Sequence, residues 1–432
     1  MVERLRVAID AAEVLPERNG GVAQAIQGLV HALGELDDGP EDYLIIVDSE
    51  NQIDWLRPFT AANQQFVVKP KSSSPPADRL SPRTVLRPVT RYLRKHLNGK
   101  SRQWPEVPIS NGFYESLGSQ VVHFPHQSFI LCGLPSIYTP HDLQHLHYPE
   151  FFSAPSIAWR ETIYRGGCRF AQTVAVASQW IKQDVLRQYG LPPDKVQIIP
   201  WGAPTQTVPE PSPEDLVRVQ QKYQLPQPFA IYPAMTWPHK NHLALFQALA
   251  HLRSQGVTVQ LVATGSRYAP FWPQITASLE ALSLESQVKF LGFIPDEDMR
   301  AVYRLSQFLV MPTLFESDSF PIYEAWLDGV PVACSNVCAL PDQVMDAALV
   351  FDPENVQSMA NAIARLTNEA SLRNDLRERG FGRLREFNWE YTGKAYRAVY
   401  RRLTHRRLTD EERWLLAWDW MREPHKQRES GS

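Results

Sequence analysis

The stretch FESDSFPIYEAWLDGVPVACSN, residues 315–336, decides the fold that we predict for this chain. It follows FLVMPT (308–313), a short apolar run typical of a buried strand, and its last part, VPVACS, begins another strand. Between them, IYEAWLDG predicts a helix that ends at Gly329, with Pro321 in the first turn, where a missing N–H costs nothing. A strand, a loop, a helix and a further strand form the repeating unit of a helix-covered parallel sheet. The stretch therefore predicts an α/β fold.

Two glutamates in this stretch point to a ligand site. Glu316 lies in the loop at the carboxyl end of the predicted strand, and Glu324 lies one turn into the helix. Ligands of open parallel sheets bind outside the carboxyl ends of the strands. Backbone N–H groups from 319 to 322 would favour a phosphate or sugar hydroxyls, which the carboxylates can also bind. The spacing fits equally well a helix whose acids stabilise its dipole without a ligand, so it leaves both interpretations open.

The same alternation of strand and helix runs along most of the chain. Further strands are predicted for LRVAID (5–10), YLIIV (43–47), QVVHF (120–124), PSIYT (135–139), TVAVAS (173–178), KVQIIPWG (195–202), FAIYPA (229–234), VTVQLVAT (257–264) and VKFLGF (288–293). The Pro-, Thr- and Ser-rich segment APTQTVPEPSPEDL (203–216) predicts a linker between domains. Because 432 residues exceed what one hydrophobic core usually supports, we expect two doubly wound domains facing a cleft.

Composition narrows the function classes. A formal net charge of -3 argues against a general nucleic-acid binder, which is normally strongly basic. Four cysteines in so long a chain do not form a disulfide framework. Cys334 and Cys338 have no neighbouring His or Cys pair to complete a zinc site, so we predict no metal there. The N-terminus lacks an apolar signal core and no run reaches about 18 apolar residues, which together predict a cytoplasmic protein.

One region departs from the alternation. From Lys69 to Arg102 the chain has ten Lys or Arg and a single acid, Asp78. Within it TVLRPVTRYLRKHL (84–97) places apolar residues on one broad helical face, flanked by basic ones. This stretch is either a solvated insertion or a peripheral contact with an anionic membrane that holds a lipid-linked acceptor.

Together with the strand before it, the stretch 315–336 also resembles the donor-binding signature of glycosyltransferase family 4, whose retaining enzymes have two Rossmann-like domains in a GT-B fold. The resemblance lies in the order of its features, which are a strand, E-x7-E, EAW..G.PV and a further strand. Similar blocks are YPAMTWPHKNHLALFQAL (232–249), FLGFIPDEDMRAVYRLSQFLVMPTLFES (290–317), GGVAQAIQGLVHAL (20–33), VVHFPHQ (121–127) and TPHDLQHLHYPEFF (139–152). The likeness covers nearly the whole chain except 49–118 and the tail. It implies an acceptor-side domain over 1–203 and a donor domain over 204–384. It also implies a C-terminal helix, about 385–424, that crosses back to the first domain.

The resemblance also implies roles for individual residues. Glu324 resembles the glutamate that binds the nucleotide ribose, Glu316 the one that contacts the donor sugar, and Lys240 the cation on the diphosphate. The other donor-binding positions that it implies are the turn residues Ser317, Asp318, Ser319 and Phe320 around sugar and phosphate, the glycines Gly20 and Gly21 at the diphosphate, and Gly292, Phe293 and Ile294 against the base. Family members often have Gly-Phe-Gly where this chain has Ser317, Asp318 and Ser319, and an arginine at Ala234. His239 beside Lys240 would supply part of that missing charge.

Two histidines are further catalytic candidates. His141 in PHDL and His126 in HFPH both follow predicted strands of the first domain, on the cleft side. The family uses a histidine from this region near the reacting sugar. A histidine at a strand end is also commonly a hydrogen-bonded structural residue, so both interpretations stay open at each position.

These features predict a retaining glycosyltransferase that needs neither metal nor cofactor. It would move a sugar from a nucleotide-sugar donor to a glycan, lipid-linked or small-molecule acceptor, with Lys240 stabilising the departing diphosphate. The family mechanism implies a front-face reaction in which the leaving phosphate oxygen takes the acceptor's proton. One alternative is a nucleotide-sugar epimerase or phosphorylase, of which the epimerase would turn over donor alone. The other is a sugar-nucleotide binding protein that never consumes its ligand.

The last predicted element is a capped helix over THRRLTDEERWLLAWDWMREP (404–424). Thr409 precedes Asp-Glu-Glu, which is the pattern of a capping box, and the apolar residues after it recur at helical spacing. We therefore expect an apolar face, with Trp414, Leu415, Trp418 and Trp420, to pack on the first domain.

Overall fold

The computed structural model describes residues 4–15, 20–70, 106–203 and 208–418, and these residues form two parallel sheets flanked by helices. The first sheet has seven strands, β1 (Leu5–Asp10), β2 (Glu41–Val47), β3 (Gln64–Val68), β4 (Val121–Phe124), β5 (Ser136–Tyr138), β6 (Thr173–Val176) and β7 (Val196–Ile198). Its helices are α1 (Gly21–Gly34), α2 (Glu50–Leu56), α3 (Phe113–Ser116), α4 (Gln144–His147), α5 (Ala154–Phe170) and α6 (Gln179–Tyr189). We call this part of the protein the N-terminal unit.

The second sheet has six strands, β8 (Phe229–Pro233), β9 (Gln260–Thr264), β10 (Val288–Gly292), β11 (Phe308–Met311), β12 (Val332–Ser335) and β13 (Ala348–Phe351). Its helices are α7 (Pro213–Tyr223), α8 (His242–Ser254), α9 (Trp272–Ala281), α10 (Asp296–Leu305), α11 (Phe320–Leu327), α12 (Leu340–Val344), α13 (Val356–Asn368) and α14 (Ala370–Leu384). We call this part the C-terminal unit. The prediction of two doubly wound sheets is confirmed, while the domain limits at 203 and 384 stay predictions.

Strand order fixes where each unit can bind a ligand. The first sheet runs β3-β2-β1-β4-β5-β6-β7 and the second runs β10-β9-β8-β11-β12-β13. The order of the connections reverses between β1 and β4 in one sheet and between β8 and β11 in the other. A crevice forms at the carboxyl ends of strands where the order reverses. Each unit therefore has one such crevice.

The last two helices return to the N-terminal unit, as predicted. Helix α15 (Trp389–Leu403) packs against α1, and α16 (Asp410–Ala417) packs against α15. The Trp389 indole N–H donates to the Ala203 carbonyl at 3.0 Å, and Arg401 forms an ion pair with the buried Glu41 at 2.8 Å. These polar bonds hold the end of the chain on the N-terminal unit, while Trp420, also expected to pack there, lies outside the described residues.

Two predicted segments have different limits in the structure. The linker was expected to reach residue 216, but a helix begins at Pro213, because Ser212 and Asp215 form a capping box there. The helix predicted from 404 begins at Asp410, since His405 has a left-handed φ of 56° that ends α15. Thr409 caps α16 with the predicted capping box.

The predicted membrane-contact stretch lies almost wholly outside the described residues, which stop at 70 and resume at 106. Its first residue, Lys69, forms an ion pair at 3.2 Å with Asp10, which is buried at the end of β1. The charge of this one lysine is therefore used inside the N-terminal unit. Within the described residues, no helix is both long and apolar enough to span a bilayer.

Candidate active site

The crevice of the second sheet brings together the two charged residues at the ends of its central strands. Lys240 follows β8 and Glu316 follows β11, and the Lys240 ammonium lies 2.6 Å from the Glu316 carboxylate. Both side chains are mostly buried. The sequence placed these residues 76 positions apart, and only the reversal of strand order between β8 and β11 makes them neighbours.

Asn241 fixes the backbone beside Lys240. It has a left-handed φ of 58° and precedes the first residue of α8. Its side-chain amide donates to the carbonyls of Pro312 and Pro353, both at 3.0 Å. Because Pro312 lies in the loop that carries Glu316, this amide ties the lysine loop to the glutamate loop. Asn tolerates the left-handed region better than most residues, which accounts for the Lys-Asn pair.

Glu324 lies on α11 and is buried at 7% exposure. The Tyr303 hydroxyl donates to its Oε2 at 2.7 Å, and the Gln24 amide donates to its Oε1 at 3.0 Å. Burial raises the pKa of Glu324, and these two hydrogen bonds lower it. Gln24 belongs to α1, so this carboxylate joins the two units across the cleft.

The turn before α11 is closed by a side chain from a later helix. The Ser319 N–H donates to Gln343 at 3.1 Å and to Asp318 at 3.0 Å, and the Gln343 amide donates back to the Ser319 carbonyl at 2.9 Å. The Ile322 N–H donates to the Ser319 carbonyl, and Pro321 has no N–H. The expectation that the N–H groups from 319 to 322 are open to a ligand is therefore wrong at these three positions.

Asp318 is the unusual acid of this turn. Burial raises the pKa of Asp318 to about 7, and the nearby charge of Glu316 acts in the same direction. The Tyr323 hydroxyl and the Ser319 N–H lower that pKa without cancelling the effect of burial. A carboxyl group that changes charge near neutral pH therefore lies two residues from Glu316.

The glycine loop predicted at the diphosphate faces this turn. Gly20 has a left-handed φ of 45° and caps α1, and a Cβ on Gly21 would lie 3.2 Å from the Phe320 ring. The Ser178 hydroxyl donates to the Ser317 carbonyl at 3.4 Å, also across the cleft. The structure thus places Gly21 against Phe320 of the turn, and the diphosphate role of Gly20, Gly21 and residues 317–320 stays a prediction.

The loop predicted to face the nucleotide base ends β10. Gly292 has a left-handed φ of 75°, Phe293 is 65% exposed and Ile294 is buried. Gly265, at the end of the neighbouring strand, donates its N–H to the Gly292 carbonyl at 2.8 Å. A Cβ on Gly265 would lie 2.8 Å from the backbone of Ala234, so only glycine fits there. An exposed aromatic ring beside two glycine turns suits a flat ring system.

His239 does not supply the charge that was expected of it. Burial lowers the pKa of His239 to about 2, and the neighbouring charge of Lys240 acts in the same direction. The ring therefore stays neutral at physiological pH. Its ring centroid lies 6.3 Å from that of Phe151 of the N-terminal unit, so the residue contributes packing between the units.

Both candidate histidines lie at the carboxyl edge of the first sheet. His141 has a left-handed φ of 63°, donates from Nε2 to the Pro125 carbonyl at 2.9 Å and stacks on Trp201. His126 is 5% exposed and accepts the Ser128 N–H at Nδ1, which leaves the proton of the neutral ring on Nε2. Burial lowers the pKa of both rings, that of His126 to about 4.

Sequence reasoning missed the residues that support the predicted ones. They are Gln24, Tyr303 and Gln343, which bond to Glu324 and the turn, and Phe315, which packs on His147, Tyr148 and Trp180 of the N-terminal unit. Tyr303 and Phe315 have the periodicity of core residues, so nothing marked them. Gln24 lies inside the glycine-loop block, and that block was the one available signal.

Comparison with known proteins decides the family. A family model described as Glycosyltransferase Family 4 matches residues 61–207, and a model described as Glycosyl transferases group 1 matches residues 215–383. The chain belongs to the family 4 glycosyltransferases. The two matches meet near the predicted linker, and the second one includes the crevice with Lys240 and Glu316 of this glycosyltransferase.

The relatives of this glycosyltransferase include proteins named as mannosyltransferases. O-antigen chain mannosyltransferase B of Escherichia coli is 29% identical over 259 residues, which cover 59% of this chain and 67% of that protein. The chain matches only 28% of the length of the serotype-specific mannosyltransferase WbdA of Escherichia coli.

Solved structures show the fold of this glycosyltransferase to be GT-B. Sucrose-phosphate synthase of Thermosynechococcus elongatus superimposes with a TM-score of 0.67 at 18% identity, over 93% of this chain and 100% of that one. Anabaena HepE, in complex with UDP and glucose, superimposes with a TM-score of 0.64 at 15% identity, over 92% and 99% of the two chains.

Proposed function

We propose that this glycosyltransferase transfers a hexose from a nucleotide-sugar donor to a glycan or lipid-linked acceptor, with retention at the anomeric carbon. The observation that carries the proposal is the Lys240–Glu316 pair in the crevice between β8 and β11. A buried cation beside a buried carboxylate suits a donor whose diphosphate meets the ammonium and whose sugar hydroxyls meet the carboxylate.

In this proposal the bond to the sugar breaks as negative charge develops on the diphosphate. Lys240 stabilises that charge and takes the place that a metal ion has in other transferases, so no cofactor is needed. The leaving phosphate oxygen takes the proton of the acceptor hydroxyl on the same face of the sugar. Glu316 orients the donor, and the contacts across the cleft, such as Gln24 to Glu324, exclude water from the reacting centre.

The two glutamates have separable roles under this proposal. Glu324, bonded to Tyr303 and Gln24, accepts the ribose hydroxyls, and Glu316 meets the transferred sugar. Phe293, His239 and the side of the turn formed by Ser317, Asp318 and Phe320 complete the donor site. His141 lies near the reacting sugar and offers an unprotonated Nδ1, because its Nε2–H bonds to a carbonyl.

A binding and turnover experiment tests the proposal. Purified protein is screened by thermal shift against nucleotide sugars that vary in base and sugar, with mannose donors first because of the named relatives. A ligand at about 100 times its Kd adds about 2.7 kcal/mol of stability. Glu324→Gln should weaken donor and free nucleotide alike, whereas Glu316→Gln should abolish transfer and keep nucleotide binding. Equal loss of nucleotide in both variants would contradict these roles, and consumption of donor without acceptor would favour an epimerase.

The acceptor side includes a proposed membrane contact. The basic segment 84–97 would bind anionic lipid at the cytoplasmic face and hold the cleft close to a lipid-linked acceptor, with about 1 kcal/mol from each basic residue. Vesicles of rising anionic content should bind the protein, and salt should release it. A quadruple variant with Arg87, Arg91, Arg94 and Lys95 changed to Gln should not bind. A wild-type protein that ignores anionic vesicles at low salt would make the acceptor a soluble one.

A further inference from the structure

The crevice of the first sheet holds a cavity of about 340 Å³ at the reversal between β1 and β4. Residues after β1, residues after β4 and one face of α5 line it, and among them are Glu13, Val22, His126, Gln127, Trp159 and Arg160. This volume lies at the lower end of the range of small-molecule sites, so the cavity suits one or two sugar rings. It is separate from the crevice that holds Lys240 and Glu316.

Val22 places this cavity next to the proposed donor site. It follows Gly21, whose backbone faces the Phe320 ring of the donor turn. A ligand in the cavity therefore lies on the N-terminal side of the cleft, within a residue of the loop that meets the donor.

The two basic side chains of the cavity differ in what they can offer a ligand. The Nδ1 atom of His126 accepts the Ser128 N–H, and its Nε2 atom is buried with almost no accessible surface. Neither ring nitrogen is therefore open to the cavity, and His126 supports the wall without binding a ligand.

Arg160 is the second of these groups. One of its N–H groups donates to the Tyr164 hydroxyl at 2.7 Å, and its guanidinium lies 4.7 Å from the Phe152 ring centroid. Among the described residues no carboxylate forms an ion pair with it, whereas Arg165 of the same helix pairs with Glu161 at 2.8 Å. Stacking on aromatic rings orients the guanidinium, and its open N–H groups match a carboxylate or a phosphate in pairs.

The indole of Trp159, next to Arg160, adds a flat apolar wall. This residue is 42% exposed and lines the same cavity. Exposed aromatic rings in polar pockets bind the apolar face of a ring-shaped ligand. Among the described residues of the lining, the exposed Glu13 alone has a carboxylate, which can accept ligand hydroxyls.

We propose that this cavity binds the acceptor, and that the acceptor is a sugar or cyclitol ring with an anionic substituent, a carboxylate or a phosphate. Arg160 binds the anion, Glu13 binds ring hydroxyls, and Trp159 covers a ring face. The inference rests on the proposed transfer reaction and adds the chemical class of its acceptor.

Ligand-observed NMR on the full chain tests it with four probes: mannose, mannose 6-phosphate, glucuronate and inorganic phosphate. At least one of the two anionic sugars should bind about tenfold or more tightly than mannose, and which one does distinguishes a phosphate from a carboxylate. Arg160→Gln should bring that preference to within about twofold. Arg165→Gln, which removes an already paired guanidinium from the same helix, should leave it unchanged.

Trp159→Ala supplies a second readout, since it removes the exposed indole that covers a ring face. It should weaken mannose and the anionic sugar by a similar factor, of about three or more. Equal binding of mannose and both anionic sugars, or an Arg160→Gln variant that behaves as wild type, would overturn the proposal. Inorganic phosphate that binds as tightly as the sugar phosphate would show that the ring is not recognised, and would overturn it too.

Nucleotide binding separates this inference from the proposed function. Arg160 and Trp159 lie outside the donor crevice, so Arg160→Gln and Trp159→Ala should both bind nucleoside diphosphate with wild-type affinity. A wild type that consumes no donor would contradict the proposed transfer and leave the probe-binding result standing. A wild type that transfers sugar but shows no Arg160-dependent preference for anionic rings would contradict only the acceptor class.

Discussion

Lys240 is the side chain on which the proposed chemistry depends most directly. Its ammonium is held against Glu316 at 2.6 Å, and Asn241 ties its backbone to the glutamate loop. A group that stabilises charge only as the diphosphate departs lowers the activation free energy by a few kcal/mol. Lys240→Ala should therefore lower kcat by about a hundredfold or more in a transfer assay. Lys222→Ala, which removes a lysine paired with Asp298, should keep full turnover. A Lys240→Ala variant that loses less than threefold in kcat would show that Lys240 has no part in the mechanism.

Asp318 makes a prediction about pH. Burial raises the pKa of Asp318 to about 7 in the folded protein, against about 3.9 for an unfolded aspartate. Between pH 4 and 7, roughly, the folded state holds a proton that the unfolded state has released, so this residue makes stability fall as pH rises. Asp318→Asn removes that dependence. Its Tm, measured against wild type, should be similar at about pH 4 and higher by at least about 2 °C at pH 8.

The control for this measurement is Asp54→Asn, which changes an exposed carboxyl group on α2. Its Tm difference from wild type should not vary with pH. If Asp318→Asn and wild type lose stability in parallel from pH 4 to pH 8, the Asp318 carboxyl is not held protonated in the folded protein.

Single residues show how far sequence reasoning reached into the site. Glu316 and Lys240 were named together because their motifs place each at the carboxyl end of a strand, and topology then brings such ends to one crevice. The expectation of open N–H groups at Ser319 and Ile322 was wrong. Gln343 closes that turn from a helix 24 residues later, and a tertiary contact of this kind leaves no trace in local periodicity.

At the scale of elements, close packing of helices rests on glycines. Gly28 on α1 lies under the indole of Trp389 on α15, where an added Cβ would meet the ring at 2.0 Å. Because that ring is buried and bonded to Ala203, it has no room to move. Gly28→Ala should therefore destabilise the protein by about 1–3 kcal/mol, as overpacked cores do, even though alanine favours the helix.

Gly382 on α14 provides a matched control for this change. It is exposed, and a Cβ there would meet nothing within 4 Å. Gly382→Ala should raise stability by about 0.5–1 kcal/mol through helix propensity alone. Denaturation midpoints of the two variants should therefore move in opposite directions from wild type. A Gly28→Ala variant as stable as Gly382→Ala would show that α15 does not pack closely on α1.

Elements buried on both faces were easier to predict than those at the sheet edges. LRVAID, an inner strand of the first sheet, is apolar at four of its six positions and was predicted with its observed limits. The edge strand β3, QQFVV, was missed because polar residues begin it and most of it is partly exposed. The edge strand β13, ALVF, is so short that its pattern also fits a loop or a helix. Edge strands bury fewer residues, so hydrophobicity gives less information about them.

At the scale of the whole molecule, the C-terminal helices return to the N-terminal unit. Helices α15 and α16 follow the second sheet in sequence but pack on the first. The two units are therefore joined by polar and aromatic contacts across the cleft and by the returning chain. Small interfaces of this kind within a chain permit relative motion of the units.

Truncation tests whether α16 belongs to the folded unit. Leu415 is fully buried, and Glu412, at 1% exposure, pairs with Arg397 and Arg401 of α15. Ending the chain at 405 removes that carboxylate and exposes apolar surface on α15, a loss of several kcal/mol. The chain that ends at 405 should melt at least about 5 °C below one that ends at 418, which keeps α16 and lacks only residues 419–432. Both arginines keep another acid, Asp38 or Glu41, so the shorter chain should still fold. Equal melting of the two chains would mean that α16 lies on the surface without stabilising it.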